Sequence, residues 1–290
     1  SPRRKEILAE LGFGFTSRAS DIDETVPADI PIVSVAEHLA ILKNRAIQRD
    51  KNEVVLTADT VVIIGSQILG KPNDEPEAFE MLKKLLQEES DLALLSEMMT
   101  LPSERIIHQR VGKINVAEIN QKRENVNFCV IKYLEELLLR KYKELNHNKT
   151  FDLSTQSIGE RALKNRCLSY LVKSGEYELA YKQFNHAKCM SDQLSSFQAL
   201  VENHNFYQKE VIERFYELHH ADVQTIDRWF SVQSMSPSTS VAEIRKLMSH
   251  KLFTMKNPNR VRSVFGSFSQ NHTQFHCQEG YQLMTEVIIE

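Results

Sequence analysis

Little in this sequence staples, punctuates or spans. Its four cysteines, Cys129, Cys167, Cys189 and Cys277, stand far apart with no Cys-x-x-Cys pair. That spacing argues against a disulfide framework and against a structural zinc knot. A reducing cytoplasm is the expected compartment. Apolar runs such as the one at residues 61–64 are far too short to cross a bilayer. The opening Ser-Pro-Arg-Arg-Lys-Glu is not followed by the apolar stretch of a signal peptide. Charge of one sign is also scarce. A net charge of −3 sets up no global field toward nucleic acid or an anionic membrane, so neither is an expected partner. Glycine is sparse and uneven: of nine, Gly12, Gly14, Gly65 and Gly70 fall in the first 70 residues. Turn-rich mixed structure in front and long helices behind would produce that distribution.

The 290 residues are 41% hydrophobic and 26% charged, enough to bury a core in one large domain or two ordinary ones. Residues 2–11 read as a helix, with Ser1 as N-cap and Pro2 at its first position. Residues 13–20 read as a strand and 35–48 as a helix. Residues 54–64 are β-branched and apolar, broken only by Thr57, Asp59 and Thr60. They suit a strand buried on both faces of a mixed sheet. Residues 76–86 read as a helix that begins at Pro76. From residue 91 onward no strand pattern appears. A long amphipathic stretch at 116–145 precedes shorter helical patterns at 156–173, 177–189, 191–203, 206–219, 222–233, 240–249 and 258–268. Ser191, Ser240 and Asn257 are the expected caps. Short connections between helices favour stacked hairpins, without a fixed-period repeat. The fold class expected is mainly α: an incomplete α/β fragment at 1–86, then an all-α superhelical array at 87–290.

The front carries residues with chemical meaning. Arg3 and Arg4 sit in the first turn of the first helix, where cations oppose the helix dipole. Two guanidinium groups at a helix N-terminus read either as a polyphosphate cradle or as a solvated, frayed end. Asp59 lies inside an apolar run, where an ionised carboxylate needs a partner or a metal. Functional acids often sit in such places, and the bland reading is a carboxylate that turns outward to cap the next element. Asp21, Asp23 and Glu24 form an acidic cluster that suits Mg²⁺ or a plain solvated turn. Lys71 is held in Leu-Gly-Lys-Pro, where Pro72 stiffens the chain. Lys43, alone, reads as an ordinary surface lysine.

Taken in order, Ser1-Pro2-Arg3-Arg4-Lys5-Glu6, Asp21-Ile22-Asp23-Glu24-Thr25, Ala58-Asp59-Thr60-Val61-Val62 and Leu69-Gly70-Lys71-Pro72 closely resemble the first half of the Maf family of nucleoside triphosphate pyrophosphatases. The resemblance implies Mg²⁺-assisted cleavage between the α- and β-phosphates, giving a nucleoside monophosphate and pyrophosphate. It implies Arg3, Arg4, Lys43 and Lys71 on the phosphates, Glu24 on the metal, and Asp59 orienting or deprotonating the attacking water. Such a division fits a phosphoryl transfer, which needs positive charge, a metal and an aimed water. The Asp-Ile-Asp-Glu-Thr form is similar to the branch acting on dTTP and UTP.

The back contains Leu101-Pro102-Ser103-Glu104, Ala162 through Leu168, Asp227-Arg228-Trp229-Phe230, Phe253 through Arg260, and Phe275-His276 through Gly280-Tyr281. These resemble the C-terminal helical domain of zinc peptidases of the bacterial aminopeptidase N family. The resemblance implies a non-catalytic domain that caps a catalytic domain and carries no zinc ligands. Docking to such a catalytic domain is the implied partnership, and no zinc and no aminopeptidase activity are expected of this chain alone. His272 and His276 share i,i+4 spacing, but the glutamate of His-Glu-x-x-His is missing. Arg260 and Arg262, with Lys251 and Lys256, are expected to form a solvated helix face, and Trp229 to anchor a helix in the core. The whole reads as a chimeric join of two incomplete pieces near residues 86–90. The expected function is weak nucleoside triphosphate binding with little or no turnover. The alternative is the non-catalytic helical domain of a peptidase.

Overall fold

The computed structural model describes residues 2–27, 29–64, 67–70, 72–108, 111, 115–146 and 151–289. The chain separates into two compact units, Ser1–Met81 and Leu82–Glu290. The sequence places the join a few residues later; in the structure the division falls within a helix, α3 (Glu75–Glu88).

The front unit begins with α1 (Pro2–Glu10), and a single turn at Ile32–Ser34 leads into α2 (Val35–Ala46). The expected strand at 13–20 is absent, and that segment carries no ladder. Of the strand expected at 54–64, only Val62–Ile64 (β1) is laddered. It pairs antiparallel with Gln67–Leu69 (β2), with Val62 opposite Leu69 and Ile63 opposite Ile68. Nor is the run buried on both faces. Val54 is 95% and Leu56 73% exposed, while Val55, Thr57 and Asp59 turn inward. Side chains, not main chain, hold it to α2: Thr57 Oγ1 donates to Ala40 O at 2.8 Å, and Asn44 Nδ2 donates to Val55 O at 3.1 Å. Val35 and Leu39, one turn apart on α2, are buried.

The second unit is helical throughout its described residues. Its elements are α4 (Leu92–Met98), α5 (Glu104–His108), α6 (Val116–Leu145), α7 (Thr155–Lys173), α8 (Tyr177–His186), α9 (Met190–Glu202), α10 (Gln208–His219), α11 (Val223–Met235) and α12 (Val241–Met248). They are followed by α13 (Pro258–Val261), a π-helical turn at Arg262–Gly266, α14 (Ser267–Ser269), α15 (His272–Phe275) and α16 (Gln278–Ile289). Successive helices pack as hairpins, α6 on α7, α8 on α9 and α10 on α11, and α9 also meets α7 and α11. Phe184, Phe197 and Phe215 meet at the centre, with the Phe197 and Phe215 rings stacked at 4.3 Å. Trp229 is buried, and its indole N–H donates to Ile212 O at 2.9 Å. Among the described residues no helix is long and apolar enough to cross a membrane.

Arg260 departs from the expected solvated face. It is 5% exposed, lies 3.2 Å from Asp227 and covers the Phe230 ring at 4.9 Å. The first turn of α13 points it inward, whereas Arg262, Lys251 and Lys256 remain exposed. Ser191 is not a cap either. Cys189 holds the N-cap position of α9 without a side-chain bond.

Candidate functional site in the front unit

Four residues from four segments converge in the front unit. α2 carries Lys43 on the face that meets the extended run, so its ammonium reaches inward between two acids. Lys43 Nζ donates to Asp59 Oδ2 at 2.6 Å and lies 2.9 Å from Glu24 Oε1. Asp59 Oδ1 accepts the Thr60 amide at 2.8 Å. From α1, Arg4 donates to Thr60 Oγ1 at 2.8 Å and to Ala58 O. Asp59 and Lys43 side chains are 16% and 18% exposed, whereas Glu24 is open to solvent at 57%.

The electrostatics follow from that packing. Burial alone would raise the Asp59 pKa. The Lys43 hydrogen bond, the Thr60 amide and the charges of Lys43 and Arg4 outweigh it, so the value ends below the usual carboxylate range. The bond to Asp59, then that to Glu24, raises Lys43 above its ordinary value. Asp59 is therefore an anion and Lys43 a cation throughout the neutral range.

The other expected site residues are placed differently. Arg3 lies in the first turn of α1, where only its backbone is described, and Lys71 lies outside the described residues. Asp23 spends its carboxylate on its own turn, accepting Thr25 N at 2.9 Å and Thr25 Oγ1 at 2.6 Å. Sequence reasoning missed Thr60, which receives Arg4, and Asn44 and Thr57, which fix the run to α2. The alternation Val55, Thr57, Asp59 was the available signal, because period-2 spacing puts all three on one face.

Chemically, the arrangement offers two hard carboxylate donors and two cations within one small region. Carboxylates of this kind suit Mg²⁺, which takes one or two of them and completes its shell with water and phosphate oxygens. Glu24 and Asp59 are the donors available here, and both already face the Lys43 ammonium. Among the described residues no group of three His, Cys, Asp or Glu side chains could hold a metal. In the helical unit, His272 Nδ1 lies 3.2 Å from His276 Nε2, whose other ring nitrogen lies 2.7 Å from the Tyr281 hydroxyl. That unit also carries a polar cavity of about 300 Å³ around Lys164, Gln183 and Asp192, and an apolar one of about 350 Å³ around Leu101, Ile107 and Ile119.

Comparison with known proteins finds two relationships in this chain. A family model described as a domain of unknown function with ARM repeats (DUF3458_C) matches residues 46–290. Aminopeptidase N of Escherichia coli is 32% identical over 232 residues, covering 77% of this chain and 26% of that protein. A dTTP/UTP pyrophosphatase of Caldicellulosiruptor saccharolyticus is 41% identical over 90 residues, covering 29% of this chain and 45% of that protein. A crystal structure of Legionella pneumophila aminopeptidase A in complex with aspartic acid superposes with a TM-score of 0.67 at 28% identity, over 76% of this chain and 28% of that one. The chain thus spans about a quarter of the peptidases and under half of the pyrophosphatase. The ARM-repeat match begins at residue 46, the last residue of α2, well before the unit boundary.

Proposed function

Because this chain belongs to the DUF3458_C family of ARM-repeat domains, we propose that it is a composite of a helical scaffold and a front unit that binds nucleoside triphosphates weakly, with little or no turnover. The observation that carries the nucleotide reading is the convergence of Arg4, Lys43, Glu24 and Asp59. Positive charge and hard carboxylate oxygens are what a phosphate chain with Mg²⁺ requires. The similarity to a dTTP/UTP pyrophosphatase supports nucleotides of the dTTP and UTP type. Low turnover follows from the same geometry. A carboxylate held by an ammonium at 2.6 Å, with a lowered pKa, is a poor proton acceptor and a masked metal ligand.

Calorimetry with dTTP and UTP in Mg²⁺ tests this reading. Binding is expected at millimolar nucleotide and should weaken by about tenfold or more in Lys43→Met. No heat at millimolar nucleotide removes it. Pyrophosphate release is expected to stay at background. Release that disappears in Asp59→Asn would instead establish a working pyrophosphatase.

A second reading concerns the helical unit. The chain's 32% identity over 232 residues to an aminopeptidase N, of which it spans only a quarter, supports a non-catalytic module that docks on a peptidase catalytic domain. A pull-down with an aminopeptidase N lacking its own helical domain should recover the chain, and failure to associate counts against the reading. The four cysteines, all free thiols, support a reducing compartment such as the cytoplasm.

A further inference from the structure

Imidazoles from two helices meet where α15 rests against α5. His272 Nδ1 lies 3.2 Å from His276 Nε2, with the two rings stacked at 5.4 Å. His108 of α5 sets its ring edge against His272 at 4.9 Å, and its Nε2 is buried without a hydrogen-bond partner among the described residues. The outer nitrogens of the stacked pair face other helices. His276 Nδ1 lies 2.7 Å from the Tyr281 hydroxyl of α16, and His272 Nε2 lies 3.9 Å from Glu104 Oε2 of α5. One relay therefore runs from α16 through both imidazoles to α5.

We infer that this relay is a pH-sensitive clasp, which holds α15 on α5 while at most one of His272 and His276 is charged and releases it when both are. When both rings are neutral, the Tyr281 hydroxyl donates to His276 Nδ1, His276 Nε2 donates to His272 Nδ1, and His272 Nε2 turns its hydrogen toward Glu104. A first proton goes to His276 Nδ1. The Tyr281 hydroxyl then turns to accept, and the bond between the rings becomes charge-assisted. A second proton goes to His272 Nδ1, the remaining lone pair of the two rings. Two N–H groups then face each other across the 3.2 Å contact, and two like charges sit on stacked rings. No rotation of either ring hydrogen relieves that conflict, so the rings part.

The surroundings add one counter-charge. Glu104 favours a charged His272, but Arg123 of α6 lies 3.9 Å from the same carboxylate. Otherwise α6 offers His272's neighbour Thr273 the uncharged Asn120, and α14 (Ser267–Ser269) has no titratable side chain. Burial lowers the His272 pKa, Glu104 works against it, and His108 and His276 lower it further. The clasp is thus closed above the ordinary histidine value of about 6.5 and opens as pH falls through the lower folded value.

Amide-exchange protection factors of the full chain, read by mass spectrometry from about pH 7.5 to about pH 5, test the inference. Protection in residues 104–108 and 272–276 should fall by about tenfold per pH unit below the folded value, and by less in α7 and α9. His272→Gln and His276→Gln each remove the second proton site but keep a donor and an acceptor at that position. Both variants should stay protected at the acid end, whereas Tyr281→Phe, which leaves both imidazoles, should still open. Protection that ignores pH, that falls as steeply in both glutamine variants, that is lost at every pH in both, or that falls equally in α7 and α9 overturns the inference.

Discussion

Lys164 places the strictest demand on its surroundings in the helical unit. Its side chain is 9% exposed and its ammonium donates to Asp192 Oδ2 at 2.6 Å, while Asn165 donates to Asp192 Oδ1 at 2.9 Å. Gln183 bonds Asn165 and receives the Tyr142 hydroxyl. Burial, then the Asp192 charge, pushes that phenol up to about 12. Removing one partner of such a pair leaves a buried charge uncompensated, at a cost of about 3–5 kcal/mol. Lys164→Met should therefore lower the stability of the helical unit by about 3 kcal/mol in urea unfolding, and adding Asp192→Leu should recover much of the loss. A single variant within about 0.5 kcal/mol of the parent would show that the pair matters little. This network was hidden in the sequence, where Lys164 and Asp192 are 28 residues apart and each looks like a surface charge. Asp59 was more legible, because an acid inside an apolar run asks for a partner. That the partner is Lys43 on α2 needed the fold.

Helices were legible because their apolar positions recur with a helical period and their caps carry mechanisms. α6 occupies the residues the pattern gives, and the α7–α12 boundaries shift by a few residues at most. α12 shows why. Ser240 Oγ accepts the Glu243 amide, and the Glu243 carboxylate accepts the Ser240 amide at 2.7 Å, closing a capping box. Ser240→Ala should cost about 1 kcal/mol, read as a lower thermal midpoint. A midpoint unchanged by that substitution would mean the box adds nothing to the packing of α12. The short helices α4 and α5 went unread, since one or two turns give periodicity little to repeat. The π-helical turn at Arg262–Gly266 has no sequence signature at all. The strands failed for another reason. β-branched residues favour an extended backbone, but a ladder also needs a neighbouring strand, and that information is not local.

At the scale of the molecule, titration and burial divide the two units. Burial lowers the pKa of His219, His250 and His272, so all three are held neutral in the folded helical unit. The unfolded chain binds their protons near pH 6.5, so this stability is complete above that value and is lost as pH falls through the folded values. The urea midpoint of the helical unit should fall between about pH 7 and pH 5, and His219→Gln should shrink the slope. A flat profile would mean the imidazoles stay accessible to protons when folded. The front unit has a different weakness. Among its described residues the buried apolar side chains are Val35, Leu39 and Phe79, whereas the helical unit buries Phe184, Phe197, Phe215, Phe230 and Phe268 among many others. Opening a segment for cleavage costs little where few apolar contacts must be broken. The unladdered stretches at 13–27 and 48–61 should be cut first in limited proteolysis of the full chain. Mass spectrometry should then show a durable fragment that starts between residues 82 and 91. If intact front-unit peptides persist as long as α7 and α9, the small core of the front unit is stronger than its burial implies.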